Sequence, residues 1–382
     1  MRKRTYVIIA ALVVLIVVGT FVGVYLSNGP ARAPASNTSS MFYALTITTT
    51  MGGSTTPASG TYVYSNGTVV PVSATPNSGY GLDHWVLDGV NVGTSNSYSV
   101  LMNQNHTLEA VLDVQIVAAE NFWGSLVSQL GGTQVRVLSI VSDPNADPHE
   151  YESNTADAEA IANAKFVIVN GAGYDDWALK LISASNTPNQ TVLNVQELIG
   201  QSIGANPHFW YSPYYVNETV NAMYNDLVAI DPADAAYYNQ QYVNLNASLG
   251  VYNQRIDEIN QQYAGTEVAS TESIFEYLAN ATGLDLVSPP AFMEAVAEGN
   301  DPPAQSVVQF QQQLQSGNVR VLVYNEQTVT PLTQSMKALA ATNNVTVIGV
   351  TETIQPPDVS FQVWMNAELL SLQDALNPSL GQ

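Results

Sequence analysis

The chain has 382 residues, 46% of them hydrophobic, and carries 10 Lys and Arg against 32 Asp and Glu, a formal charge of −22. Single cores usually stop growing near roughly 250–300 residues, so two or three folded units are expected. The acidic balance excludes a nucleic-acid footprint. The absence of cysteine excludes disulfides, thiolate metal sites, a cysteine nucleophile and a lipid-modified N-terminal cysteine, so any metal site must use histidine and carboxylate.

Residues 7–26 hold no charge and no proline; at ~1.5 Å rise per helical residue such a stretch spans a hydrocarbon core of ~30 Å. Arg2, Lys3 and Arg4 before it keep the N-terminus cytoplasmic, which predicts a single-pass helix in the cell membrane with the rest of the chain extracellular. A cleaved signal peptide, cut near residues 27–29, is the alternative. Without a cysteine for lipid attachment, a retained anchor is the simpler way to hold the protein at its membrane. Asn-X-Ser/Thr acceptors at Asn37, Asn66, Asn105, Asn189, Asn217, Asn246, Asn280 and Asn344 fit an outside location. Residues 27–40 are rich in Ser, Asn, Gly, Pro and Ala and read as a flexible spacer, so 1–40 is assigned as anchor and linker.

From Tyr43 the pattern changes to short β-branched and aromatic runs between turn residues, at 45–50, 60–64, 69–74, 84–87, 98–101 and 107–112. This predicts a small all-β module over 41–113. After Asp113, apolar strands alternate with helical stretches, at 114–118, 135–140, 166–170, 191–195, 267–270, 319–324 and 345–349, which is an α/β order. Between them, Tyr238, Tyr242, Leu245, Leu249, Tyr252, Ile256 and Ile259 recur at steps of three and four, predicting a helix over 232–263, far beyond the ~11–12 residue mean. A helix that long in mid-chain joins an N-terminal lobe, 114–231, to a C-terminal lobe, 264–382.

The four histidines fall in two places. His84 and His106 lie in the β module; His149 and His208 lie in the α/β region. His149 follows Asp147-Pro148 and precedes Glu150-Tyr151-Glu152, in the loop after a strand, where open α/β sheets bind ligands. His208 follows Asn206-Pro207 and precedes Phe209-Trp210. One loop histidine is ordinarily just a surface side chain. Two Pro-His pairs on short rigid connections are what metal ligation needs, because a ligand that must first be ordered loses affinity.

Asp147 to Glu152, Asn170-Gly171-Ala172-Gly173-Tyr174-Asp175-Asp176-Trp177, Asn206 to Trp210, Ser270-Thr271-Glu272-Ser273-Ile274-Phe275-Glu276-Tyr277, Tyr324-Asn325-Glu326-Gln327 and Val350-Thr351-Glu352-Thr353 together resemble successive signatures of the TroA-like family, the zinc- and manganese-binding receptors of ABC importers. The resemblance spans about 114–376. It implies two α/β lobes joined by a long backbone helix with the metal site between them, here preceded by the all-β module and the N-terminal transmembrane helix. It also implies metal ligands His149 and His208 from the N-terminal lobe, Glu272 where members carry His or Glu, and Glu352 where many place an Asp. The ligand would be Mn²⁺ or Zn²⁺, with Fe²⁺ also compatible. The partner would be an ABC importer permease, and the receptor a monomer. Residues 43–112, with Pro76-Asn77-Ser78-Gly79-Tyr80, His84-Trp85, Asp88-Gly89 and Asn105-His106-Thr107, resemble the divergent InlB-type B-repeat, which implies a spacer or adhesive role without chemistry.

The sequence departs from the family pattern at Asn206 and Ser212, where members usually carry acidic residues. If either carboxylate orients the histidine, its loss can cost about 10–100-fold in affinity. Two imidazoles and two carboxylates suit Mn, Fe and Zn, with carboxylate tilting toward Mn, while the Irving–Williams order favours zinc at most such sites. The ion therefore stays open. No Gly-X-Ser-X-Gly, His-Glu-X-X-His or phosphate loop occurs, and a four-ligand site is of the closed kind, so an enzyme is not expected. The competing reading is a surface adhesin or structural protein whose α/β unit does not transport metal.

Overall fold

The computed structural model describes residues 41–144 and 148–377. The expected membrane anchor and spacer, residues 1–40, lie outside them. Among the described residues no helix is long and apolar enough to cross a membrane.

The elements in chain order are β1 (Phe42–Thr49), β2 (Gly53–Thr56), β3 (Gly60–Ser65), β4 (Val69–Pro76), β5 (Tyr80–Leu87), β6 (Val90–Gly93), β7 (Ser97–Leu101) and β8 (His106–Glu120), then α1 (Asn121–Gly131), β9 (Val135–Val141), α2 (Thr155–Asn163), β10 (Phe166–Val169), α3 (Asp176–Ser185), β11 (Thr191–Asn194), α4 (Val195–Leu198) and α5 (Pro213–Ile230). The long helix α6 (Ala235–Tyr263) follows, then β12 (Glu267–Ser270), α7 (Glu276–Thr282), β13 (Asp285–Leu286), α8 (Pro290–Ala297), α9 (Ala304–Gln315), β14 (Val321–Asn325), α10 (Pro331–Thr342), β15 (Thr346–Val350) and α11 (Phe361–Leu376).

Two sets of four parallel strands repeat one topology, the first within a mixed eight-stranded sheet. In the N-terminal lobe β9 and β10 flank β8, and β11 pairs with β10; in the C-terminal lobe the order is β13-β12-β14-β15. In each, the first strand of the lobe lies between the second and third, so the chain crosses past the first strand on its way from second to third. That reversal opens a crevice at the carboxyl ends of the strands, the place where such sheets bind ligands. β10 and β14 are buried at every position, as strands covered on both faces must be. Between the lobes runs α6, whose Tyr238, Leu245, Leu249, Tyr252, Ile256 and Ile259 form one buried face. These residues belong to a single apolar cluster that includes Ile116 and Phe166 of the N-terminal lobe and Val268 and Val323 of the C-terminal lobe.

The module and the N-terminal lobe share a strand. The sequence reading ended one strand at Leu112 and began another at Val114; β8 instead runs unbroken from His106 to Glu120. Its first half pairs with β1 on one side and β5 on the other, its second half with β10 and β9. Asp113 read as a break because a charge interrupts an apolar run. It stays in the strand, 4% exposed, because Arg136 Nε donates to it at 3.2 Å and Gln115 Nε2 also donates to it. Arg136 reaches Asp83 of β5 as well, at 3.2 Å, stitching module to lobe. Gly79 adds to the seam: Gln115 N donates to its carbonyl at 2.9 Å, and its φ of +83° is one that glycine adopts without strain. Trp85 is the fully buried centre of the module's own core, with Leu45, Ile47, Val72, Val100 and Leu108 around it.

Candidate metal centre

Four loops supply the site, three of them following strands and the fourth, with His208, following α4. His149 sits in a 3-10 turn, Pro148–Glu150, beyond β9. Its side chain is 22% exposed, whereas His208, Glu272 and Glu352 are fully buried. His208 precedes the turn Phe209–Tyr211, and Glu272 and Glu352 follow β12 and β15. The structure brings three of these four together: His149, His208 and Glu352 each offer a ligand atom, all within 4.8 Å of one another. His149 Nε2 lies 3.4 Å and His208 Nε2 4.0 Å from Glu352 Oε2. Ligand atoms bound tetrahedrally at ~2.0–2.2 Å to one ion are about 3.3–3.6 Å apart, so a contraction of about an ångström at the widest separation would close the trio on a cation.

Glu272 stands outside this trio. The Asn325 side chain lies between the two glutamates, donating to Glu272 Oε1 and, at 2.7 Å, to Glu352 Oε1. Asn325 itself closes β14, and its Oδ1 accepts from Gln327 N at 2.9 Å. Gln327 Oε1 then accepts the backbone N–H groups of Glu352 and Thr353, at 2.6 and 3.0 Å. Tyr174 Oη donates to Glu352 Oε2 at 2.7 Å. Asn325 and Tyr174, both uncharged, thus donate to two buried carboxyl groups whose oxygens are suitable ligands for a divalent cation.

Tyr174 is presented by the loop 170–175, where Gly171, Ala172 and Gly173 all have positive φ. Asp175 fastens that loop by accepting from Asn170 N and Gly171 N at 2.6 and 2.8 Å. Burial pushes Asp175 up to about 6 despite these bonds. Glu120, at the end of β8, is raised well above the carboxylate range by burial and by the neighbouring Asp175 charge, so it is the protonated member of the pair.

His208 was expected to have lost its orienting partner, since Asn206 replaces an acidic residue. Asn206 supplies one nevertheless: its Oδ1 accepts from His208 Nδ1 at 2.7 Å, which fixes the tautomer and leaves the Nε2 lone pair facing Glu352. His208 Nε2 is buried with no hydrogen-bond partner among the described residues. Burial, and then the nearby His149, hold its pKa well below the ordinary value, so it is a neutral imidazole ready to ligate. Ser212, the second departure, caps α5 instead.

The module's histidines take no part. His84 Nδ1 contacts Asp83 Oδ2 at 2.7 Å, and His106 Nδ1 contacts Asp88 Oδ2 at 2.7 Å, both within the β module. Tyr174, Asn325 and Gln327 were inside recognised motifs but carried no assigned role; their contacts with Glu352 cross 178, 27 and 25 positions and are invisible to local spacing.

A family model for the zinc-uptake complex component A, periplasmic, matches residues 116–375. The chain belongs to that family. A second model, the divergent InlB B-repeat domain, matches residues 43–114. Among curated relatives, the manganese-binding lipoprotein MntA of Halalkalibacterium halodurans is 28% identical over 184 residues, 46% of this chain and 59% of that protein. The high-affinity zinc uptake protein ZnuA of Bacillus subtilis is 19% identical over 260 residues, 63% of this chain and 80% of that protein. For the first-ranked relatives the chain spans about three fifths of their length. Among solved structures, TroA of Treponema pallidum superposes with a TM-score of 0.60 at 14% identity, covering 68% of this chain and 98% of that one, and a ZnuA crystal structure with 0.57 at 22%, covering 69% and 98%. These likenesses show the two-lobed fold.

Proposed function

We propose that the protein is an extracytoplasmic receptor that captures one divalent transition-metal ion between its lobes and delivers it to an ABC importer. The observation that carries this reading is the convergence of His149, His208 and Glu352, whose potential ligand atoms come from both lobes and lie within 4.8 Å of one another. In this reading the two histidines and Glu352 hold the ion, and Glu272 completes the set once the ion displaces the Asn325 hydrogens. Two neutral imidazoles and two carboxylates would leave a divalent ion electrically neutral. Manganese, zinc and iron all fit such donors, manganese by carboxylate content and zinc by intrinsic affinity. The receptor acts as a monomer without catalysis, held at the outer face of the cell membrane by residues 7–26, and the β module stands between membrane and receptor. Elemental analysis of the protein purified from mixed-metal medium tests the reading. One transition ion per chain is expected, lost on substituting His208; no ion, or several bound weakly, overturns it.

A further inference from the structure

Asn206 is bonded to both lobes at once. On its own lobe, Oδ1 accepts from His208 Nδ1 at 2.7 Å and from His208 N at 3.2 Å. Toward the other lobe, Nδ2 donates to the Ser273 carbonyl at 2.8 Å and to Glu276 Oε2 at 2.9 Å. Tyr277 Oη donates to the Asn206 carbonyl at 2.8 Å, so the backbone at this point is held from the C-terminal lobe independently of the side chain. A carboxylate in this place could serve His208 equally well. It has no hydrogen for Ser273 or Glu276, and would set a negative charge against a carbonyl oxygen and a second carboxylate.

We propose that Asn206 is a positioning residue that latches His208 to the C-terminal lobe and thereby slows release of the bound ion. The inference rests on the metal-receptor reading and adds to it a determinant of residence time. His208 and Glu352 are fully buried and only His149 is part-exposed, so an ion held by all three is freed by local separation of the lobes that carry them. Separation must break the carboxamide's two bonds to Ser273 and Glu276. Ser273 directly follows Glu272, so the same bonds keep the histidine of one lobe in register with the glutamates of the other. Affinity gained this way lies in the dissociation rate, where most affinity differences within one interface arise.

The test measures Mn²⁺ or Zn²⁺ release into excess chelator by stopped flow at pH 7.5 and low salt, together with thermal unfolding of the metal-free protein. Four proteins are compared: the parent, N206D, E276Q and the N206D/E276Q pair. N206D is expected to release the ion about 10-fold faster, the scale of a lost charge-assisted hydrogen bond. E276Q alone should stay within about twofold, because a glutamine oxygen still accepts from Asn206. In the pair, the glutamine amide can donate to the new carboxylate, and release should slow at least about threefold from N206D. A residue that merely orients His208 would give N206D and the pair the same rate. The metal-free melting temperatures should follow the same order, which decides the latch even if the parent binds no ion and the receptor reading itself fails. Release from N206D no faster than from the parent, or no recovery in the pair in either measurement, overturns the proposal.

Discussion

Glu368, on α11, gives a pH-dependent stability that can be worked from hydrogen-bond accounting. Its Oε1 accepts from Thr351 N at 3.0 Å, and its Oε2 lies 2.7 Å from Tyr211 Oη. Tyr211 Oη also lies 2.9 Å from the Thr351 carbonyl, which can only accept. One hydroxyl has one hydrogen. Both contacts are satisfied if Tyr211 donates to Thr351 and a protonated Glu368 donates to Tyr211. Burial, opposed only in part by these bonds, accordingly pushes Glu368 from about 4.5 up to about 8. Between those values the folded state holds a proton that the unfolded state has released, so stability falls as pH rises from about 4.5 and levels off above about 8. At about 1.4 kcal/mol per pH unit the whole span gives an upper figure of roughly 5 kcal/mol; water penetration on partial opening reduces this to roughly 2–3 kcal/mol. Glu368→Gln keeps both hydrogen bonds and removes the titration. Urea denaturation of the metal-free parent and variant at pH 5, 7 and 9 should show similar stability at pH 5 and a variant more stable by 2 kcal/mol or more at pH 9. Curves that stay parallel across that range would refute the protonated assignment.

The remaining expectations concern the site and the seam. Ala at His149, His208 or Glu352 should each weaken metal binding by at least about 100-fold in calorimetry, and Glu272→Ala by less, since Glu272 lies outside the close trio. Because burial holds His208 neutral before the ion arrives, it gives up no proton on binding near pH 7, and His208→Ala should leave the proton count there unchanged in buffers of different ionisation enthalpy. Arg136→Ala strips the buried Asp113 of its cation and should cost about 1–3 kcal/mol in denaturant melts with metal affinity intact. Gly79→Ala would place a Cβ 2.8 Å from the Lys165 Cα at positive φ, and should speed hydrogen exchange of the Gln115 amide, which bonds Gly79, before it affects the far lobe.

The lobes were legible because parallel strands buried on both faces appear as uninterrupted apolar runs, such as Phe166–Val169 and the residues 321–324. The linking helix was legible because a single buried face repeats at 3.6 residues. His149 and His208 stood out because proline fixes each on a short loop. The seam was not legible: a charge at Asp113 looks like a turn until Arg136, 23 positions later, is seen beside it. Asn206 was misjudged for a related reason. Sequence shows the loss of a negative charge, but only the structure shows that the amide's acceptor and donor ends face different lobes.

The continuity of β8 also turns the module into a ruler. β1 enters beside the start of β8, with Leu45 opposite His106, while the metal loops leave the lobe sheet at the other end, near Glu120. At ~3.3 Å per residue, the 15 residues of β8 measure out about 45 Å. A stalk of hinged domains would let the cleft swing; a shared strand ties the cleft to the module at a set distance and heading. Whatever grips the module therefore also fixes how far away, and in which direction, the metal loops stand.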